Sequence, residues 1–329
     1  MSENVKKKEK VFIRILKFFL PWKGDGVGEV IRKLVLIISL VSIVICGIYF
    51  YDRFSQRAEF TEAKKLSALV EDTADREEET EPKDKFKKLL DINSEFVGWL
   101  KIDGTGVDVP IVKTDDNETY LRKSFYGEYS VYGNPFLDFR NHPERLFETG
   151  SILHGMDRNT IVYGHNMLDK LVFAELLEYK SPDFYKEHPI IDFDTIYGDT
   201  KWKIISCYLI NSTADMDNGY AIEYNFINCE SDEKFLEYIE DIKKRSFINT
   251  PVDAQEDDVI ITLSTCDKEV IEEGRFVVVA RLVREGESPE VDVNQAKAND
   301  NIKFPQGYCD KKGIANNYAD DAKWTPFSN

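Results

Sequence analysis

A mostly β domain carried behind a single membrane-spanning helix is the architecture that this 329-residue sequence predicts. Three observations lead there. Leu34–Tyr51 contains no charged residue and is just long enough to cross a bilayer as a helix of ~20 residues. Beyond residue 95, short β-branched and aromatic runs recur between turn residues with little helical pattern among them, as in a mostly antiparallel closed barrel. Two of the runs, Val259–Leu263 and Phe276–Val283, flank a polar stretch containing Gly274, and read as a hairpin of two central strands.

The charge is distributed to match. Residues 1–33 hold nine Lys/Arg against four Asp/Glu, a net +5, which leaves −22 on the rest of a chain whose total is −17. A basic end beside an acidic body favours a membrane-oriented protein and argues against nucleic acid as the partner. The chain is long enough to bury a sizeable core. Residues 34–51 end in Tyr49, Phe50 and Tyr51, too bulky for a signal-peptidase site, so the span reads as an uncleaved signal anchor. With the lysines on the short side, residues 1–33 are expected in the cytoplasm and everything after Asp52 outside. Val11–Trp22, apolar with interspersed basic residues, suits a helix lying on the cytoplasmic leaflet.

Residues 52–82 are polar, culminate in an acidic run at 77–81 and read as a stalk. A domain is expected over 83–285. It opens with a helix carrying Phe86, Leu89 and Leu90 on one face, then strands over Val97–Ile102, Val109–Val112, Phe136–Phe139, Ile161–Tyr163, Trp202–Ile210, Val259–Leu263 and Phe276–Val283. Helical insertions are expected over Leu168–Tyr179 and Ser231–Arg245, the second with Phe235, Leu236, Ile239 and Ile242 on one face. Residues 286–329 are hydrophilic and weakly periodic, a flexible or peripherally docked tail.

Chemistry concentrates at strand ends. Cys266 closes the first strand of the hairpin and Arg275 begins the second, so an antiparallel pairing brings them to one sheet edge. The strand Ile161–Tyr163 likewise delivers His165 after Gly164. A thiol attacks as thiolate, and a nearby imidazole supplies a base or a cationic partner. On local grounds Cys266 is equally readable as a small buried core residue. His142 and His188 precede prolines in polar loops, and His154 lies in a turn-like stretch. Pairing among Cys207, expected in the core, and Cys229 and Cys309, expected in polar loops, cannot be deduced from spacing. No metal-ligand spacing and no cofactor motif is present.

These motifs resemble those of the sortases, the cysteine transpeptidases of Gram-positive cell surfaces. Thr262–Cys266 is similar to their TLxTC signature, Tyr163–Asn166 to their histidine strand end, and Arg275 stands where their arginine does. Asn93–Ile102, Val109–Val112, 120–132 and Phe136–Asn141 look specifically like class B, so that the resemblance covers roughly 83–284. It implies an eight-stranded barrel and a helix at 231–245 beside the substrate groove. It also implies a reaction: Cys266 cleaves the C-terminal sorting signal of a secreted protein after threonine, holds the acyl thioester, and passes it to the amine of a peptidoglycan precursor.

Within that reading His165 carries protons and Arg275 stabilises the oxyanion. The Asp267 backbone N–H is a further oxyanion donor, and Thr265 shapes the groove. Arg281, on the same face but six residues further along, falls ~20 Å away at the other end of the strand. Arg281 and Arg284 are expected to be solvated. A hydrolase that cuts without joining, a pilin-polymerising enzyme and a non-catalytic tethered binding module are the alternatives.

Overall fold

The computed structural model describes residues 16–70, 82–144, 157–167, 169–214, 220–321 and 323–327. The chain divides into two compact units, Met1–Ala58 and Glu59–Asn329. The helix α1 (Val27–Lys64) contains an 18-residue window of mean hydropathy 2.6, none of it buried, and is long and apolar enough to cross a membrane. The acidic run at 77–81 and residues 1–15 of the basic leader, with the start of the leaflet helix expected over Val11–Trp22, lie outside the described residues.

The second unit begins earlier than expected. Phe60 and Ala63 are buried, Phe60 stacking on Tyr132 with ring centroids 6.0 Å apart. Part of the stretch read as a solvated stalk therefore packs into the domain. After it come a 3-10 turn (Pro82–Phe86) and the short helix α2 (Lys87–Ile92), which bury Phe86 and Leu89.

The strands β1 (Phe96–Lys101), β2 (Asp108–Val112), β3 (Phe136–Leu137), β4 (Asn159–Tyr163), β5 (Ile190–Thr195), β6 (Gly198–Asn211), β8 (Ile260–Cys266) and β9 (Gly274–Leu282) close into a barrel in the order β1-β2-β3-β4-β8-β9-β6-β5. The short β7 (Ile248–Asn249) pairs with β10 (Lys297–Ala298) in a separate ribbon. Pairing is antiparallel except at β2–β3 and β4–β8. The β4–β8 pair matters most, because it sets the two candidate catalytic strands side by side in one direction.

Alternation fills the barrel. Leu100, Val109, Ile111, Phe193, Trp202, Leu263, Val278 and Ala280 point inward and are completely buried. The opposite faces of β6 and β9 carry a second cluster, on which α4 (Asp232–Arg245) lays Phe235, Ile239 and Ile242. That face is the one its sequence periodicity predicts. Ser231 caps α4, its hydroxyl accepting from the Lys234 N–H.

Several expectations need correction. Strand β5 has no counterpart in the sequence reading. The insertion expected over Leu168–Tyr179 is a 3-10 helix over Ala174–Lys180, followed by α3 (Pro182–Glu187). Arg281 is not solvated but 1% exposed, its guanidinium bonded to Glu287 at 2.7 Å and Asp253 at 2.9 Å. Arg284 is ion-paired to Asp258 at 2.7 Å and Asp253 at 3.0 Å. The segments bearing these acids cover the barrel end, so the cation is buried while Glu287 stays part-buried and Asp253 half-exposed. The tail is docked: Ala296 and Trp324 are buried, and Cys309 sits buried in α5 (Gln306–Lys312) rather than in a loop. No disulfide joins Cys207, Cys229 and Cys309.

Candidate active site

Cys266 ends β8 and lies directly opposite Arg275 of β9 in the antiparallel register. The turn between them closes through the Asp267 N–H, which donates to the Gly274 carbonyl at 3.0 Å. A Cβ at Gly274 would fall 2.0 Å from the Asp267 oxygen, so the turn requires glycine.

On the other side of β8 the parallel strand β4 pairs Tyr163 with Ser264. The pairing runs on past the strand end. The Gly164 N–H donates to the Ser264 carbonyl at 3.1 Å, the Thr265 hydroxyl to the Gly164 carbonyl at 2.8 Å, and the Asn166 amide to the Cys266 carbonyl at 2.8 Å. His165 and Cys266 are each two residues beyond that aligned pair, which places them at one level of the sheet. Neighbouring strands lie ~4.8 Å apart. Histidine, cysteine and arginine thus occupy adjacent positions across three segments that are neighbours in the barrel.

All three line one cleft of about 470 Å³, whose walls include Leu121, Phe136, Ile222, Tyr224 and Asn225. Cys266, His165 and Arg275 are half-buried there. His165 Nε2 lies 2.9 Å from the Leu121 carbonyl. A carbonyl only accepts, so Nε2 holds a proton and the neutral ring keeps its lone pair on Nδ1. Burial holds the imidazole below its ordinary pKa, with Arg122 adding to the effect and the Leu121 bond opposing it. Arg275 bonds through Nη1 to the Gly274 carbonyl at 3.1 Å, and among the described residues no carboxylate pairs with it. Its remaining donors can serve a charge that develops during reaction.

The cleft rests on a polar layer. Tyr163 donates to Asp138 at 2.9 Å, and Arg140 grips the same carboxylate at 2.8 Å. Burial alone would raise the Asp138 pKa, but Arg140, Tyr163 and Asn117 together hold it below the usual range. Tyr224 meets the Ser264 hydroxyl at 3.0 Å, two residues before Cys266, and burial raises its pKa despite the nearby Arg275. Its hydroxyl is therefore a neutral donor or acceptor.

The structure thus brings Cys266, His165, Arg275 and Thr265 to one cleft and removes one expected role. The Asp267 N–H is committed to the hairpin, and its carboxylate pairs with Lys180 at 2.8 Å, so this residue supplies no open oxyanion donor. Thr265 lines the cleft, yet its hydroxyl ties the cysteine strand to the histidine strand instead of facing a ligand. His142 pairs with Glu144 at 3.3 Å and His188 with the Asp103 carbonyl at 2.8 Å, while His154 lies outside the described residues. Sequence reasoning did not single out Tyr224 and Ser264. Ile222, Tyr224 and Phe226 alternate with the exposed Glu223 and Asn225, a period-2 signal for a buried face, but what the Tyr224 hydroxyl meets follows only from the fold.

No family model matches the chain. A sortase B of Staphylococcus aureus is 31% identical over 252 residues, covering 76% of this chain and 94% of that protein. A sortase B of Listeria monocytogenes is 32% identical over 252 residues, with 74% and 95% covered. The structure of a Staphylococcus aureus sortase B–substrate complex matches with a TM-score of 0.58 at 29% identity, across 71% of this chain and 99% of that one. With the closed barrel and its cysteine, histidine and arginine in register, this chain belongs to the class B sortases, and is a cysteine transpeptidase.

Proposed function

We propose that this sortase cleaves the C-terminal sorting signal of secreted proteins after a threonine and transfers the new acyl end to an amine of a peptidoglycan precursor. The observation that carries this reading is the row His165, Cys266 and Arg275 at adjacent strand ends along one cleft. Acyl transfer needs those three kinds of group side by side: a nucleophile that can also leave, a proton carrier and a fixed cation.

In the proposed cycle the Cys266 thiol gives its proton to His165 and the sulfur bonds to the scissile carbonyl carbon. Arg275 holds the resulting oxyanion. The C–N bond then breaks, the departing amine takes the proton from the imidazolium, and a thioester remains on Cys266. An incoming amine attacks that thioester, loses its proton to His165, and releases the sulfur. Low occupancy of the imidazolium at neutral pH, favoured by burial, keeps the ring ready to accept at the first step.

Residues 34–51 are the proposed anchor, with the lysine-rich N-terminus in the cytoplasm and the barrel outside, where both substrates meet the membrane surface. The substrate complex of the Staphylococcus aureus relative supports substrate binding in a barrel of this kind. The test uses the full chain in detergent with fluorescent sorting-signal peptides and an amine acceptor, and identifies products by mass spectrometry. A ligated peptide that appears only with amine supports the transpeptidase; hydrolysed peptide at every amine concentration replaces it with a hydrolase, and ligation only to a lysine side chain of a pilin peptide replaces it with the pilin-polymerising reading.

A further inference from the structure

One wall of the catalytic cleft is formed by Ala221, Ile222, Glu223, Tyr224 and Asn225, which lack regular secondary structure of their own. A loop of this kind holds its shape only through what it touches. Toward the barrel the contacts are explicit: the buried Asn159 amide donates to the carbonyls of Tyr224 at 3.1 Å and Phe226 at 3.0 Å, and its N–H to that of Ile227 at 3.1 Å. The outer side is held by residues 324–326. The Trp324 ring packs 5.1 Å from that of Phe226 and 4.8 Å from that of Tyr238 on α4. Its indole N–H donates to the Lys234 carbonyl at 2.8 Å, and its own carbonyl accepts from the Tyr220 hydroxyl at 2.8 Å. Two residues on, the Pro326 carbonyl accepts from the Glu230 N–H at 2.8 Å. Trp324 is 5% exposed.

We infer that Trp324 is a positioning residue for the transpeptidase: clasped between α4 and Phe226, it fixes the 220–228 wall and thereby the shape of the peptide-binding cleft. The chemical trio stands on strand ends that Trp324 does not touch, held by the β4–β8 and β8–β9 registers. Its removal therefore acts on peptide binding and leaves the reacting groups in place. Tyr224 is the link between the two regions, because its hydroxyl reaches Ser264 from the wall.

The inference rests on the proposed peptide substrate for its kinetic consequence, so the test has an arm that needs no substrate. Trp324→Ala and Trp324→Phe are compared with wild type in the full chain by hydrogen exchange, by the rate of Cys266 alkylation with iodoacetamide, and by kcat and KM for a sorting-signal peptide. In Trp324→Ala the amides of 220–228 exchange at least tenfold faster while those of β8 and β9 are unchanged; alkylation stays within twofold; KM rises severalfold at a kcat within threefold. Trp324→Phe, which keeps an aromatic ring but loses the indole N–H and part of the ring area, falls between. Unchanged exchange in 220–228, or exchange accelerated uniformly through the barrel, overturns the inference. A wild type that turns over no sorting peptide sinks the functional reading instead, while the exchange arm still decides what Trp324 holds.

Discussion

Replacing Arg281 with methionine removes a cation that is 1% exposed and carries four short bonds to Asp253 and Glu287. Removing one partner of a buried ion pair costs ~3–5 kcal/mol, because the other charge is left in a poor solvent. Here both carboxylates keep a second cation, Lys203 at 2.6 Å from Glu287 and Arg284 at 3.0 Å from Asp253, and Asp253 is half-exposed. The lower end applies, so the loss is about 3 kcal/mol. For a unit of this size that lowers the melting temperature by about 6–12 °C.

The sign with pH follows from Glu287. Arg281, joined by Lys203, holds its carboxyl far below the usual range. A depressed carboxyl contributes stability that is present above its unfolded pKa of ~4.3 and is lost as pH falls toward the folded value. The gap between wild type and Arg281→Met therefore narrows on acidification below about pH 4. Circular dichroism melts of the full chain in detergent at pH 7.5 and pH 3.5 check both statements. Alkylation of Cys266 at 25 °C stays within twofold, since Arg281 and Arg275 are six residues apart, ~20 Å along β9. A melting shift under 2 °C at pH 7.5 would mean that the cluster is solvated and the argument wrong.

Three further outcomes concern the cleft. Arg275→Lys keeps the charge but loses the fork, and kcat/KM for the sorting peptide falls by ~10²–10³ with the melting temperature unchanged within 2 °C, as for loss of an oxyanion donor; a loss under fivefold removes Arg275 from that role. Thr265→Val deletes the hydroxyl bonded to the Gly164 carbonyl and leaves that acceptor unmet, costing about 1–2 kcal/mol in denaturant unfolding; turnover falls with it, because the bond ties the two catalytic strands, and equal turnover by this variant ends that argument. The imidazole of His165, followed by NMR, titrates below ~6.5 because burial disfavours its charge. Its contribution to stability is complete above 6.5 and shrinks as pH falls toward the lowered value; a midpoint above 7 contradicts the burial argument.

The site was legible from sequence because its residues stand at ends of runs with strong β character. Once 259–266 and 274–283 are strands, Cys266 and Arg275 must meet, and one aligned glycine after Tyr163 carries His165 to the same edge. Less was legible where packing, not local pattern, decides. In β5 the outward Asp192 and Asp194 break an apolar run and give it the look of a loop, although Ile191, Phe193 and Thr195 alternate inward. Arg281 reads as a surface charge because its partners, Asp253 and Glu287, come from segments that only the closed barrel brings over it. The Asp267 N–H reads as an open donor until the hairpin partner of that group, the Gly274 carbonyl, is known. Likewise the tail is only weakly periodic, since scattered anchors dock it: Ala296, Cys309 and Trp324 are buried, and Lys303 pairs with Asp241 at 2.6 Å.

The most direct test is intact-protein and peptide mass spectrometry of the full chain after brief exposure to a panel of sorting-signal peptides without amine. The expected result is an acyl adduct on Cys266 whose mass ends at the threonine of one peptide, discharged on adding amine and absent from Cys266→Ala. Cleavage by Cys266→Ala, or an adduct that forms on another residue, would contradict it.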